Sequence, residues 1–159
     1  MSDIIDYTHT EFVRGINAIV RQIEESDFQP DYIVGIVRGG CIPAVYLSHK
    51  LKIPVQMVHW STRDSTDGWS NESNCWIPED LIDGKKILLV DDIVDGGETV
   101  RELLDDWKLS ISGVGDLPLH NIRIAAMFYN TVQQTKVDYY DCTINREEDK
   151  RWVVFPWEA

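Results

Sequence analysis

The sequence predicts an α/β fold built on a mainly parallel central sheet flanked by helices. Three observations carry that expectation. Nearly continuous apolar runs of strand length, at Tyr32–Val37, Ile87–Val90 and Ile122–Phe128, suit strands covered on both faces. Segments with apolar residues at helical spacing alternate with those runs. The chain has 159 residues, enough for one domain with a sizeable core.

Each element has its own signal. Thr8-x-x-Glu11 reads as a capping box, in which the Thr hydroxyl and the Glu carboxylate satisfy orphan amides at a helix start. Phe12, Ile16, Ile19, Val20 and Ile23 then recur at helical spacing. Pro30-Asp31 ends the connection to the strand Tyr32–Val37, and Arg38-Gly39-Gly40 forms a tight loop. Pro43 suits the first turn of a second helix running to about Leu51, and Pro54–Val58 is the next strand. Residues 61–76 are rich in Ser, Thr, Asp, Asn and Gly around Trp69 and Trp76, a composition expected of a lid loop. Asp83-Gly84 marks a turn before a strand at 86–91. Val100, Leu103, Leu104 and Trp107 define an amphipathic helix. A Gly- and Pro-bearing loop at 110–119 leads to the strand Ile122–Phe128, and Val137–Tyr140 and Trp152–Phe155 read as shorter terminal strands.

Composition narrows the function. The chain is 43% hydrophobic and 26% charged, ordinary for a globular protein. A net charge of -12 argues against non-specific binding to nucleic acid or an anionic membrane. Cys41, Cys75 and Cys142 are scattered, without a C-x-x-C pair, so neither a disulfide framework nor a zinc site is expected. The acidic start lacks a signal-peptide pattern and no apolar run is long enough to cross a membrane, so a soluble cytoplasmic protein is expected.

The most informative stretch is residues 87–99, Ile-Leu-Leu-Val-Asp-Asp-Ile-Val-Asp-Gly-Gly-Glu-Thr. Four aliphatics lead into Asp91 and Asp92, and Asp95 opens a Gly-Gly turn that runs into a helix. Adjacent acids at a strand end can hold sugar hydroxyls or a metal. The loop amides and helix N-terminus can hold a phosphate. Together they describe a sugar-phosphate site. The chain has no G-x-x-x-x-G-K-[ST] and no G-x-G-x-x-G, which excludes a P-loop nucleotidase and a dinucleotide site of that kind. His9, His49, His59 and His120 have no convincing acid or metal partner in the sequence, and no Ser-His-Asp or Cys-His arrangement stands out.

This stretch resembles the ribose-phosphate signature of the type I phosphoribosyltransferases: four hydrophobics, two acids, two hydrophobics, then Asp-Thr-Gly-x-Thr. It departs only at Gly96, where the family has Thr. The likeness extends over nearly the whole chain, through Ile36–Gly40, the polar loop and Trp152–Glu158, and is nearest to the small purine-salvage members of xanthine-guanine type. The resemblance implies one domain over 1–159, with a lid at 61–76 and a small base-binding C-terminal hood at about 137–159. It implies a magnesium-dependent transfer of a phosphoribosyl group from phosphoribosyl pyrophosphate (PRPP) to a purine, with guanine, xanthine and hypoxanthine favoured. The alternatives are an adenine or pyrimidine enzyme on the same scaffold, or a non-catalytic PRPP-binding regulator.

Residue by residue, the resemblance implies that Asp91 and Asp92 bind the ribose hydroxyls, with Asp92 also the metal ligand. Gly96, Gly97, Glu98 and Thr99 would cradle the 5′-phosphate, and Arg38-Gly39 would form the pyrophosphate loop. Asp95 would be catalytic, moving the proton at N7 of the base. Trp152 would stack on the base and the Val153 backbone would read its edge. Asn130 or Tyr129 stands near the place where a Lys usually contacts the ring oxygen, and Asn130 is taken as the base contact. A homodimer or homotetramer is also implied.

Overall fold

In chain order the elements are β1 (Ile4–Asp6), α1 (His9–Glu25), β2 (Tyr32–Val37), α2 (Cys41–Leu51), β3 (Val55–His59), α3 (Trp76–Ile82), β4 (Ile87–Val94), α4 (Glu98–Ser110), β5 (Ile122–Asn130), β6 (Tyr139–Ile144) and β7 (Trp152–Val154). The structure is a computed structural model describing residues 3–62 and 71–158. Part of the expected lid, with Trp69, lies outside the described residues. Among those described, no helix is long and apolar enough to cross a membrane.

Five strands form one parallel sheet in the order β3-β2-β4-β5-β6. The alternation of side chains along each strand sorts the core onto two faces. Ile33, Leu88 and Val90 point to one face, against Phe12, Ile16 and Ile19 of α1 and Leu47 of α2. Val34, Ile36, Ile87 and Leu89 point to the other, with Ile77 and Leu81 of α3 and Val100, Leu103 and Trp107 of α4. The continuous apolar runs therefore reflect a sheet buried on both sides. The expected capping box at the start of α1 is formed: Glu11 N–H donates to Thr8 Oγ1 (3.2 Å) and Thr8 N–H donates to Glu11 Oε2 (2.7 Å).

The structure adds to the sequence expectations in three places. β1 and α3 were not expected. β4 is longer than the strand read at 86–91, so Asp91 and Asp92 lie within it rather than at its tip. Residues Tyr139–Ile144 of the expected hood join the main sheet as its edge strand, whereas β7 pairs with β1 in a separate two-stranded parallel ribbon.

The strand order also locates the site. From β2 the chain crosses to β3 on one side, then to β4 on the other, so the winding reverses between β2 and β4. Ligands of open parallel sheets bind at such a reversal, beyond the carboxyl ends of the strands. The β2–β4 pairing stops at Gly35 opposite Val90, so the two chains part where β4 reaches Asp91.

Candidate functional site

A cavity of about 1190 Å³ occupies this parting. It is lined by Arg38 and Gly39 after β2, the β4–α4 turn from Asp91 to Val100, and the ribbon segment from Trp152 to Phe155. The sequence placed Arg38, Gly39, Asp91, Asp92, Asp95, Gly96, Gly97, Glu98, Thr99, Trp152 and Val153 at the site, and all of them line it.

Asp91 and Asp92 occupy its floor. Asp91 Oδ1 accepts from the Asp92 N–H (2.9 Å), and Asp92 Oδ1 accepts from the Ile93 N–H (2.7 Å). Burial, then the neighbouring Asp92 charge, push the Asp91 carboxyl well above the usual carboxylate range. Burial also raises Asp92, and Glu158 adds to this, against the lowering effect of its hydrogen bonds to Asp91 and the Ile93 amide. Two adjacent desolvated carboxylates are short of positive charge and of hydrogen-bond donors. A diol or a hard cation supplies what they lack. Among the described residues no group of three or more His, Cys, Asp or Glu could hold a metal ion. A divalent ion here would fill its shell from substrate and water oxygens, the way magnesium is commonly bound through one or two carboxylates. The donor set thus fits magnesium with a phosphorylated ligand.

The loop after β2 closes on these acids. A Cβ at Gly39 would collide with the Asp92 carboxylate, so only glycine lets this backbone approach so near. The peptide bond between Val37 and Arg38 is cis.

The turn from Asp95 to Glu98 enters α4 through Gly97, whose φ of 82° lies in the left-handed region that favours glycine. The amides of this turn and the first turn of the 13-residue helix α4 face one end of the cavity, an arrangement that can hold an anion. Arg101 braces it, donating from Nη1 to the Gly96 carbonyl (2.9 Å). At Gly96 the missing side chain has a visible consequence, because the Glu98 carboxylate folds into the space that a Cβ would take.

Asp95 has a partner the sequence did not suggest. Arg146, in the turn between β6 and β7, donates from Nε to Asp95 Oδ1 (3.0 Å) and lines the cavity. Its Nη1 donates to the carbonyls of Arg151 (2.5 Å) and Asp149 (3.4 Å). The run Arg-Glu-Glu-Asp-Lys-Arg at 146–151 carries no signal separating this Arg from a solvated charge cluster.

Asn130 departs from the sequence expectation. It is buried and does not line the cavity. Its Nδ2 donates to the Asp95 carbonyl (2.9 Å), and its Oδ1 accepts from the Arg146 and Val132 amides (3.3 Å each). β5 turns this amide inward, where it ties the Asp95 turn to the Arg146 turn rather than facing the cavity. Trp152 is exposed over 52% of its surface, whereas Trp157 packs against Phe155 with ring centroids 5.1 Å apart and planes 7° apart. Glu158 lines the cavity, but its Oε2 accepts from the Phe155 amide (3.0 Å). His59, Trp60, Ser61 and Thr62 also line the cavity. The antiparallel bridge between His59 and Glu72 and the Ser61–Asn71 hydrogen bonds form the neck of the polar loop.

A family model described as the phosphoribosyl transferase domain matches residues 6–159. The xanthine-guanine phosphoribosyltransferase of Chromohalobacter salexigens is 28% identical over 162 residues, covering 97% of this chain and 88% of that one. The crystal structure of a purine phosphoribosyltransferase from Pyrococcus horikoshii superposes with a TM-score of 0.72 at 27% identity, over 99% of this chain and 95% of that one. A crystal structure of a hypothetical protein from Neisseria gonorrhoeae with bound ppGpp gives a TM-score of 0.75 at 24% identity, over 100% and 91% of the two chains, a likeness of fold. The chain belongs to the phosphoribosyl transferase domain family.

Proposed function

We propose that the chain transfers the phosphoribosyl group of PRPP to a purine base, giving a nucleotide and pyrophosphate, with guanine, xanthine and hypoxanthine as the favoured acceptors. The observation that carries this reading is the convergence, in one cavity, of buried paired acids, an amide-lined helix N-terminus, the Arg38-Gly39 loop and an exposed Trp. These are the groups needed for a diol, a phosphate, a pyrophosphate and an aromatic ring. The relatives named for xanthine, guanine and purine transfer support the choice of base.

In this reading Asp91 and Asp92 accept hydrogen bonds from the ribose hydroxyls, and their charge lies beneath the sugar as C1 becomes positive. Fixed charge at the point where charge develops lowers the barrier without reorganisation. The amides of Gly96, Gly97, Glu98 and Thr99 hold the 5′-phosphate, so the sugar is anchored at both ends and C1 faces the base. Arg38 contributes a charge-assisted contact to the leaving pyrophosphate. Magnesium held through Asp92 would offset pyrophosphate charge. N9 of the base bonds to C1 as the C1–oxygen bond breaks, with its electron pair leaving on pyrophosphate. Asp95 takes the proton from N7, and Trp152 holds the ring plane.

The test is a panel of acceptors supplied with PRPP and magnesium, with the nucleotide products identified by mass. Guanosine, xanthosine or inosine monophosphate is the expected product. Conversion of only adenine, orotate or uracil would overturn the choice of base.

A further inference from the structure

We infer that Arg146, acting beside Asp95, is the residue that selects a 6-oxopurine and rejects a 6-aminopurine; the inference rests on the transferase reading above. A guanidinium carries five N–H donors and no acceptor. Nε donates to Asp95 Oδ1, and Nη1 donates to the carbonyls of Arg151 and Asp149. Those contacts hold the guanidinium in one plane, and its side chain is only 17% exposed. Nη2 makes no hydrogen bond among the described residues, and neither does Asp95 Oδ2. The pair lines the cavity and keeps one acceptor and one donor without a hydrogen bond, available to a ligand.

That pattern matches one edge of one class of base. A purine ready to react through N9 carries its proton on N7, which needs an acceptor. The neighbouring substituent at position 6 is a carbonyl acceptor in guanine, xanthine and hypoxanthine, and an amino donor in adenine. Asp95 Oδ2 and Arg146 Nη2 satisfy the first pattern. Against adenine, Arg146 sets a donor against a donor and leaves both desolvated, which works by rejection of the wrong base as well as attraction of the right one. Arg146 also occupies a fitting position, since its turn leads directly to Trp152 and its backbone amide is tied through Asn130 to the Asp95 turn. The cationic donor that Asn130 cannot supply comes from a different turn.

The experiment compares kcat/KM for hypoxanthine and adenine, with saturating magnesium and PRPP, in the unaltered protein, Arg146→Gln and Arg146→Lys. Arg146→Gln is expected to lower the value for hypoxanthine by roughly 10- to 100-fold, the discrimination carried by one good base contact. Adenine should lose far less, and the affinity for PRPP measured without base should not change. Arg146→Lys, which keeps a donor, should keep the preference for the oxo base. A substrate-side comparison needs no variant: purine lacking any substituent at position 6 should fall below hypoxanthine by a similar factor. A guanidinium that only braces the turn would make both bases fall equally in Arg146→Gln, with the hypoxanthine-to-adenine ratio unchanged. That result, or unsubstituted purine used as well as hypoxanthine, overturns the inference while leaving the transferase reading intact. Transfer to no base by the unaltered protein overturns both.

Discussion

Gly96 shows how a single missing side chain redirects a site. Its backbone is outside the left-handed region, and the nearest atoms to a Cβ built there all belong to the end of the Glu98 side chain. A threonine therefore fits if Glu98 swings outward. That change would remove a carboxylate from the proposed phosphate end and add a hydroxyl donor. Hydrogen bonds to charged groups contribute roughly 1.5–3 kcal/mol, less the cost of moving Glu98. Gly96→Thr is expected to lower the KM for PRPP by about 3- to 10-fold on that basis; a higher KM would show that Glu98 is needed where it lies. Asp91 makes the opposite case, a residue kept at a cost to stability. Its folded-state pKa is raised by burial and by Asp92. A carboxyl shifted in that direction stabilises the fold below the ordinary carboxylate range and loses that contribution as pH rises through the raised pKa. In magnesium-free buffer Asp91→Asn, which retains an acceptor for the Asp92 amide, should thus unfold at a higher temperature than the parent at neutral pH. The gap should close toward acid pH. A shift of about 2–4 °C corresponds to each 1 kcal/mol in a chain of this size. The same variant should bind PRPP weakly. A parent that is the more stable of the two at neutral pH would contradict the charge reading of the pair.

At the scale of elements, α4 links the proposed phosphate end to the polar loop. Its N-terminus opens from Gly97, and further along Trp107 is fully buried and donates from Nε1 to the Ser73 carbonyl (2.7 Å). Ser73 also donates from its hydroxyl to Asp106. One helix thereby holds the Gly96–Gly97 turn at one end and the returning side of the loop along its flank. Trp107→Phe should cost about 1–3 kcal/mol in urea unfolding, the range for leaving a buried polar group unsatisfied. It should also speed hydrogen exchange at 72–74 more than in β4; unchanged exchange there would dismiss the anchor. Elements with strong internal periodicity were legible in the sequence: the capping box and apolar stripe of α1, the buried runs of β2, β4 and β5, and the stripe of α4. β1 was not, because three residues have no periodicity and owe their strand form to pairing with β7. Nor was α3, a seven-residue helix with Pro78 inside it, placed by the burial of Ile77 and Leu81. Within the site, residues contiguous with the 87–99 motif were legible for the same local reason. Arg146 and the inward turn of Asn130 were not, since the contact between Arg146 and Asp95 spans 51 positions and no local pattern encodes it.

Over the whole molecule, a chain of net charge -12 is proposed to take an anionic substrate. The fold reconciles the two by separating charge within the cavity. Acids lie on the floor formed by β4, while amides, Arg38 and the start of α4 face the sites proposed for phosphates. The separation follows from topology: because the winding reverses between β2 and β4, the loop after β2 and the turn after β4 meet over the same crevice. The measurement that bears most directly on this arrangement follows pyrophosphate and nucleotide together after the protein is mixed with PRPP, magnesium and hypoxanthine or guanine. One pyrophosphate released for each nucleotide formed, over many turnovers, is the expected result. Tight binding of PRPP with no base-dependent release of pyrophosphate would contradict it and leave a sensor in place of an enzyme.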